Sequence, residues 1–198
     1  MIIYNIIPAA GKSKRMGVNK YLLPINNKSM ISAVIDNLIK ANLKQIYVVI
    51  SKNNDIYNKI KEYNNINILI NDLDSSEMAD SIKVALKNIN ASDSDGILIT
   101  PADIPLIKVD TIKGLIKSFI ENKNKIIIPI YKGRKGHPVI LPSKIIYDLF
   151  NENTLRDVIK KHKDEILYFK VNDEGILLDI DNEDDYKKVK EIFPNELT

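Results

Sequence analysis

The sequence predicts an α/β fold, a mainly parallel sheet with helices on both faces and a small β excursion. Three observations predict it. Short β-branched runs alternate with stretches whose apolar residues recur at helical spacing, and the connections between them are short. Runs such as Gln45–Ile50 are almost continuously apolar, as strands covered on both faces are. Ile2–Ile7 reads as the first strand, followed by a Gly-bearing loop to Gly17. Met30–Ala41 reads as a helix, with Met30, Ala33, Val34, Leu38 and Ala41 on one side and Ser29 as its N-cap. Gln45–Ile50 follows as a strand, Asp55–Tyr63 as a helix, Ile66–Ile70 as a strand and Met78–Ile89 as a helix. Ile97–Thr100 is the next expected strand, Thr111–Ile120 a helix capped by Asp110, and Lys125–Ile130 another strand. Pro129, Gly133, Gly136, Pro138 and Pro142 then punctuate a stretch that suits a β-hairpin excursion, a lobe around residues 131–175. Helices are expected at Ser143–Phe150 and Thr154–His162, strands at Ile166–Val171 and Ile176–Leu178, and a last helix at Glu183–Phe193 capped by Asn182. With no repeat and no long linker, residues 1–198 read as a single domain.

Composition removes several chemistries. The chain has 0 Cys, so disulfides, thiolate zinc, iron–sulfur clusters and a cysteine nucleophile are all excluded. Only 2 His exclude a multi-histidine metal centre, which leaves oxygen ligands for any metal. A net charge of +3 argues against a dedicated nucleic-acid or anionic-membrane binder. No apolar run is long enough to span a bilayer, and Met1–Ala10 lacks the basic start of a signal peptide and is broken by Pro8, so a cytoplasmic location is expected.

Ligands of open α/β sheets bind beyond the carboxyl ends of the strands. After the first expected strand come Pro8, Ala9, Ala10, Gly11, Lys12, Ser13, Lys14, Arg15, Met16 and Gly17, with Lys20 close behind. Small residues let backbone N–H groups approach an anion, and Arg15 and Lys20 add charged donors, which together suit a polyphosphate. A solvated basic loop is the alternative for this segment alone. Gly11-Lys12-Ser13 is not a Walker A tail, because Ile6 stands where that motif requires Gly. After Ile97–Thr100 comes Asp103 in Pro101-Ala102-Asp103-Ile104-Pro105, a carboxylate on stiff backbone that suits a metal ligand as well as a turn. Asp179 and Asp181 are expected on one side of an extended segment, and either could be a second oxygen ligand. Mg²⁺ suits one or two carboxylates completed by phosphate oxygens and water.

The run Ala9–Gly17 with Asn19-Lys20-Tyr21-Leu22-Leu23-Pro24 resembles the signature of the MobA-like nucleotidyltransferases, in their molybdenum cofactor cytidylyltransferase (MocA-like) branch. The resemblance continues in order at Asp103-Ile104-Pro105, Gly136-His137-Pro138-Val139, Thr154-Leu155-Arg156 and Leu178-Asp179-Ile180-Asp181. It implies a Rossmann-like nucleotidyltransferase fold. It also implies that Ala9, Ala10, Gly11, Lys12 and Ser13 wrap the triphosphate of CTP, with Arg15 and Lys20 on its phosphates. Asp103 and Asp181 would hold Mg²⁺, Met78 to Ser81 would line base and ribose, and Gly136, His137 and Pro138 would face a molybdopterin-type phosphate acceptor. Ala10 accompanies cytidine in this family, whose guanylyl branch usually carries Gly there. Two positions depart from the pattern: Ala102 stands where Gly is usual, and Asp80 where small hydroxyl residues are.

The implied reaction transfers CMP from CTP to the acceptor phosphate and releases pyrophosphate, with a molybdoenzyme as the eventual recipient of the product. A phosphate monoester is already ionised near neutral pH, so the nucleophile needs no general base, which fits a chain without Cys and with two His. Catalysis by Arg15, Lys20 and Asp103 is then positioning and electrostatics. A guanylyltransferase for the same cofactor, a sugar- or alcohol-phosphate nucleotidyltransferase, and a non-catalytic molybdopterin-binding chaperone are the alternative readings.

Overall fold

A computed structural model of the chain describes residues 1–11, 17–25, 27–52, 55–72 and 77–192. In chain order its first half comprises β1 (Ile3–Ala9), β2 (Pro24–Ile25), β3 (Lys28–Ser29), α1 (Met30–Lys40), β4 (Gln45–Ser51), α2 (Ile56–Ile60), β5 (Ile66–Asn71) and α3 (Met78–Leu86). The second half comprises β6 (Gly96–Ile99), α4 (Val109–Glu121), β7 (Ile126–Tyr131), β8 (Arg134–Lys135), β9 (Val139–Pro142), α5 (Ser143–Ile146), α6 (Leu155–Lys161), β10 (Ile166–Lys170) and α7 (Glu183–Ile192). The main sheet runs β10-β7-β9-β6-β1-β4-β5, with β8 attached to β7. The pairs β1–β4, β4–β5, β1–β6 and β7–β10 are parallel, and β9 lies antiparallel between β6 and β7.

Period-two alternation assigns each strand's side chains to one of two cores. Ile7, Ala9, Ile46, Val48, Ile50, Leu98, Ile127 and Ile140 pack with α1, α2 and α4. Tyr4, Ile6, Val49, Ile97, Ile99, Ile126, Val139 and Leu141 pack with α3, α5 and α6 on the opposite face. This explains why the central strands read as unbroken apolar runs. A third, smaller cluster of Ile25, Met30, Ile180 and Val189 fastens α7 to the β2–β3 hairpin.

Local chemistry sets the ends of these elements. Ser29 caps α1, its hydroxyl accepting from the Ser32 N–H. Thr154 and Asp157 form a capping box at α6, and Asn182 caps α7 by accepting from the Asp185 N–H. Phe193, expected at the end of that last helix, lies outside the described residues. Lys132 and Gly133, at φ 47° and 79°, make the tight turn that returns β8 onto β7. The chain then re-enters the sheet as β9, so the expected β excursion includes an interior strand. Residues 143–151 break into α5 and a 3₁₀ turn over Tyr147–Asn151 rather than one helix.

Two expectations are corrected. Ile176–Leu178 is not a strand, because Glu174–Leu177 forms a 3₁₀ turn started by Asp173, whose Oδ1 accepts from the Gly175 N–H at 3.0 Å. Asp110 does not cap α4. It lies inside the first turn, and the buried Asp173 caps the helix from a distance by accepting from the Lys108 N–H at 2.9 Å and the Thr111 hydroxyl at 2.7 Å. Asp173→Ala leaves these donors without their acceptor. It is expected to lower the unfolding free energy by about 2 kcal/mol, the upper end of helix-cap losses, read from a urea titration.

Candidate active site

The chain runs from β1 through α1 to β4 and β5 on one side, then crosses by α3 to β6 on the other side of β1. The β1/β6 boundary is therefore the topological switch point, and a cleft opens beyond the carboxyl ends of those two strands. Ala10 and Gly11 leave β1 there. Pro101, Ala102 and Asp103 leave β6 there. The end of β6 is tied to β1 by the buried Asn5, whose amide donates to Leu98 O at 3.2 Å and to Thr100 Oγ1 at 2.6 Å. The Ala102 methyl is absorbed into the core beneath α1 and α4, which explains how a residue larger than Gly fits before Asp103.

Asp103 and Asp181 meet in this cleft although 78 positions separate them. Lys20 Nζ donates to Asp103 Oδ2 and to Asp181 Oδ1, each at 2.7 Å. Lys20 itself is 7% exposed. It is carried by the 3₁₀ turn Lys20–Leu22, which Asn19 caps through the Tyr21 N–H. Asp181 reaches the site because Ile180 is fully buried and its N–H donates to Asp103 O at 3.0 Å, joining the late segment to the loop after β6. Burial alone would lower the Lys20 pKa, but the two carboxylates outweigh it and hold the ammonium above its ordinary value. The same surroundings push the Tyr21 hydroxyl up to about 12, through burial first and then the charge of Asp103.

Two carboxylate oxygens converging on one cation position are a donor set for a hard divalent ion such as Mg²⁺ or Mn²⁺. Among the described residues no group of three or more His, Asp or Glu gathers at a metal-binding distance. An ion held by two carboxylates takes its remaining ligands readily from phosphate oxygens and water.

Two neighbouring spaces lie on this side of the sheet. A small cleft of about 70 Å³ is lined by Pro8, Ala10, Gly11, Tyr21, Glu77, Met78, Ser81, Pro101 and Asp103. A larger cavity of about 680 Å³ adjoins it through Glu77 and Met78 and is walled by Ile128, Val139, Leu155 and Ile159, with Lys135, His137 and Arg156 as its basic groups. His137 follows Gly136, where a methyl group would lie 2.3 Å from Ile176 O, so only Gly lets these backbones meet. The His137–Pro138 peptide is cis, and the His137 N–H donates to Ile176 O. Burial lowers the His137 pKa, an effect that Asp103 and Asp179 only partly offset, so the imidazole is neutral near neutral pH.

Of the residues singled out from sequence, Ala10, Gly11, Lys20, Met78, Ser81, Asp103 and Asp181 come together here, and His137 lines the adjoining cavity. Ala9 ends β1 with its methyl in the core, not in the cleft. Lys12, Ser13 and Arg15 lie outside the described residues. Asp179 is exposed, and Asp181 alone of the two reaches Lys20. Asp80 is occupied in the α3 capping box, accepting from the Glu77 N–H, so this departure serves the helix end. Tyr21 and Glu77 went unnoticed in sequence. The one signal for Tyr21 was its place beside Lys20.

Comparison with known proteins gives the family and the fold. Residues 5–166 match the family described as the MobA-like NTP transferase domain. The chain is 25% identical over 191 residues to the molybdenum cofactor cytidylyltransferase of Escherichia coli K12, covering 95% of each chain. Rv0371c of Mycobacterium tuberculosis H37Rv superposes with a TM-score of 0.83 at 22% identity, over 96% of this chain and 99% of that one. A manganese complex of the same protein superposes at 0.75 and 20% identity, over 96% and 98%. CMP:2-keto-3-deoxy-manno-octonic acid synthetase in complex with CTP superposes at 0.80 with 13% identity over 100% of both chains.

Proposed function

Because the chain belongs to the MobA-like NTP transferase domain family, and so is a nucleotidyltransferase, we propose that it transfers CMP from CTP to the terminal phosphate of a molybdopterin-type acceptor, releasing pyrophosphate. The observation that carries this reading is the meeting of Asp103 and Asp181 on one cation position at the switch point. The cytidylyl assignment draws on Ala10 and on the similarity to the Escherichia coli enzyme over nearly the whole chain. We read residues 1–198 as one domain, with Lys12, Ser13 and Arg15 binding the triphosphate together with Ala10 and Gly11.

In this reading the phosphates of the nucleotide lie at the small cleft and the acceptor in the larger cavity. Asp103 and Asp181 would hold Mg²⁺, which supplies neutralisation of the phosphate charge when bound. Lys20 adds a fixed positive charge worth roughly 4 kcal/mol per unit-charge contact at about 4 Å and an effective dielectric near 20. An oxygen of the acceptor phosphate attacks the α-phosphorus of CTP, and the bond to the bridging oxygen breaks, so that pyrophosphate leaves with the bonding pair. Neutral His137 can orient the acceptor by a hydrogen bond without repelling a cationic group beside it. The apolar wall of Ile128, Val139, Leu155 and Ile159 would cover a ring system, and Lys135 and Arg156 would face its anionic groups. A phosphate acceptor needs no proton removed, so the chemistry requires no general base.

Pyrophosphate release measured with each of the four nucleoside triphosphates and Mg²⁺, with and without molybdopterin, tests the proposal. CTP with molybdopterin is expected to give the fastest release, and Ala10→Gly to narrow its lead over GTP. Faster release with a sugar or alcohol phosphate would replace the acceptor, and an unchanged CTP/GTP ratio would remove Ala10 from base selection.

A further inference from the structure

Tyr21 is an aromatic side chain in the cleft to which the reaction above gives no part. It is 6% exposed, and its backbone N–H is already used by the Asn19 cap. Lys20 Nζ lies 5.5 Å from the centre of its ring. Its hydroxyl, by contrast, has no hydrogen-bond partner among the described residues. The ring is buried, while Tyr21 lines the cleft that a ligand would enter. A methyl group on Gly11 would stand 3.1 Å from Tyr21 Oη, so the hydroxyl abuts the backbone of the turn after β1. It shares the small cleft with Ala10, Ser81 and Asp103. Gly11 and Tyr21 are thus a matched pair, the missing side chain of one leaving room for the donor of the other.

We propose that Tyr21 donates its hydroxyl proton to an oxygen of the nucleoside triphosphate seated in the cleft, making it a nucleotide-binding residue alongside Lys20. The proposal rests on the nucleotidyl-transfer reading. The hydroxyl stays protonated at every pH at which the enzyme would work, so it is a neutral donor. Beside one ammonium and two carboxylates, such a donor holds an anionic ligand without adding a charge that must be balanced when the cleft is empty of substrate.

The test is calorimetric titration of wild type and Tyr21→Phe with CTP and Mg²⁺ in the absence of acceptor, together with the melting temperature of each unliganded protein. Among the described residues the variant loses no hydrogen bond, so its melting temperature is expected to stay within about a degree of wild type while its Kd for CTP rises about tenfold. Gly11→Ala supplies a second measurement, since it presses a methyl against the hydroxyl. It is expected to weaken CTP binding more in wild type than in the Tyr21→Phe background. Equal Kd values for wild type and Tyr21→Phe, or strictly additive losses in the pair, would overturn the proposal and leave nucleotidyl transfer untouched. A wild-type protein that binds none of the four triphosphates would instead remove the transferase reading, and this proposal with it.

Discussion

Asp103→Asn is expected to cut pyrophosphate release by at least about a hundredfold, a loss of about 2.7 kcal/mol of transition-state stabilisation. The fold should persist, because the loop after β6 is held by the Ile180 N–H on the Asp103 carbonyl and by the burial of Ala102 and Ile104, none of which needs the carboxylate. The amide keeps the shape of the side chain but takes away its charge, and with it most of its attraction for a divalent ion. Unchanged far-UV circular dichroism with near-normal turnover would take Asp103 out of the reaction. The matching substitution Asp181→Asn should act in the same direction, since its oxygen points at the same place.

Lys20→Met is expected to act on stability as well as activity. It leaves two carboxylates facing each other without the ammonium that now bridges them. Removing one partner of a buried ion pair costs about 3–5 kcal/mol. Asp103 and Asp181 have side chains 18% and 29% exposed, which screens part of that repulsion, so about 2 kcal/mol is the expected loss. For a chain of this length that is a fall of roughly 4–8 °C in melting temperature. The sign of the response to metal separates this account from a simple packing defect. Mn²⁺ or Mg²⁺ should restore melting temperature to the variant more than it raises that of wild type, where Lys20 competes for the same two oxygens. A variant as stable as wild type without metal, or one indifferent to metal, would show that the carboxylates are not coupled through Lys20. Turnover should fall too, because the phosphates lose a fixed cation.

Much of this arrangement was legible in the sequence, for reasons specific to each part. Gln45–Ile50 and Ile97–Thr100 announced interior strands because both faces of the sheet are covered, and Ser29 announced a helix start because its cap is made three residues away. Asp103 could be singled out since it follows a strand end and stands between two prolines. The Asp173 cap could not be seen, because it acts on α4 from 65 positions downstream. Asp110, the acidic residue nearest in sequence, offers the same signal without making the cap. Ile176 looked like part of a strand because its β-branched side chain is buried, yet the turn made by Asp173 and Gly175 decides its backbone. β9 was hidden because direction within a sheet leaves no mark on a four-residue apolar run. Tyr21 stands in the motif beside Lys20, and its place in the cleft shows only in its distance from Gly11.

The hydrogen bond from Ile180 to Asp103 also has a bearing on biosynthesis. A ribosome delivers the chain from its amino end, and domains form as their segments emerge. Every strand of the main sheet ends by Lys170, so Asp181 is delivered after all the strands have been made. Until Ile180 has docked on the Asp103 carbonyl, Lys20 lacks the second of the two carboxylates it bridges.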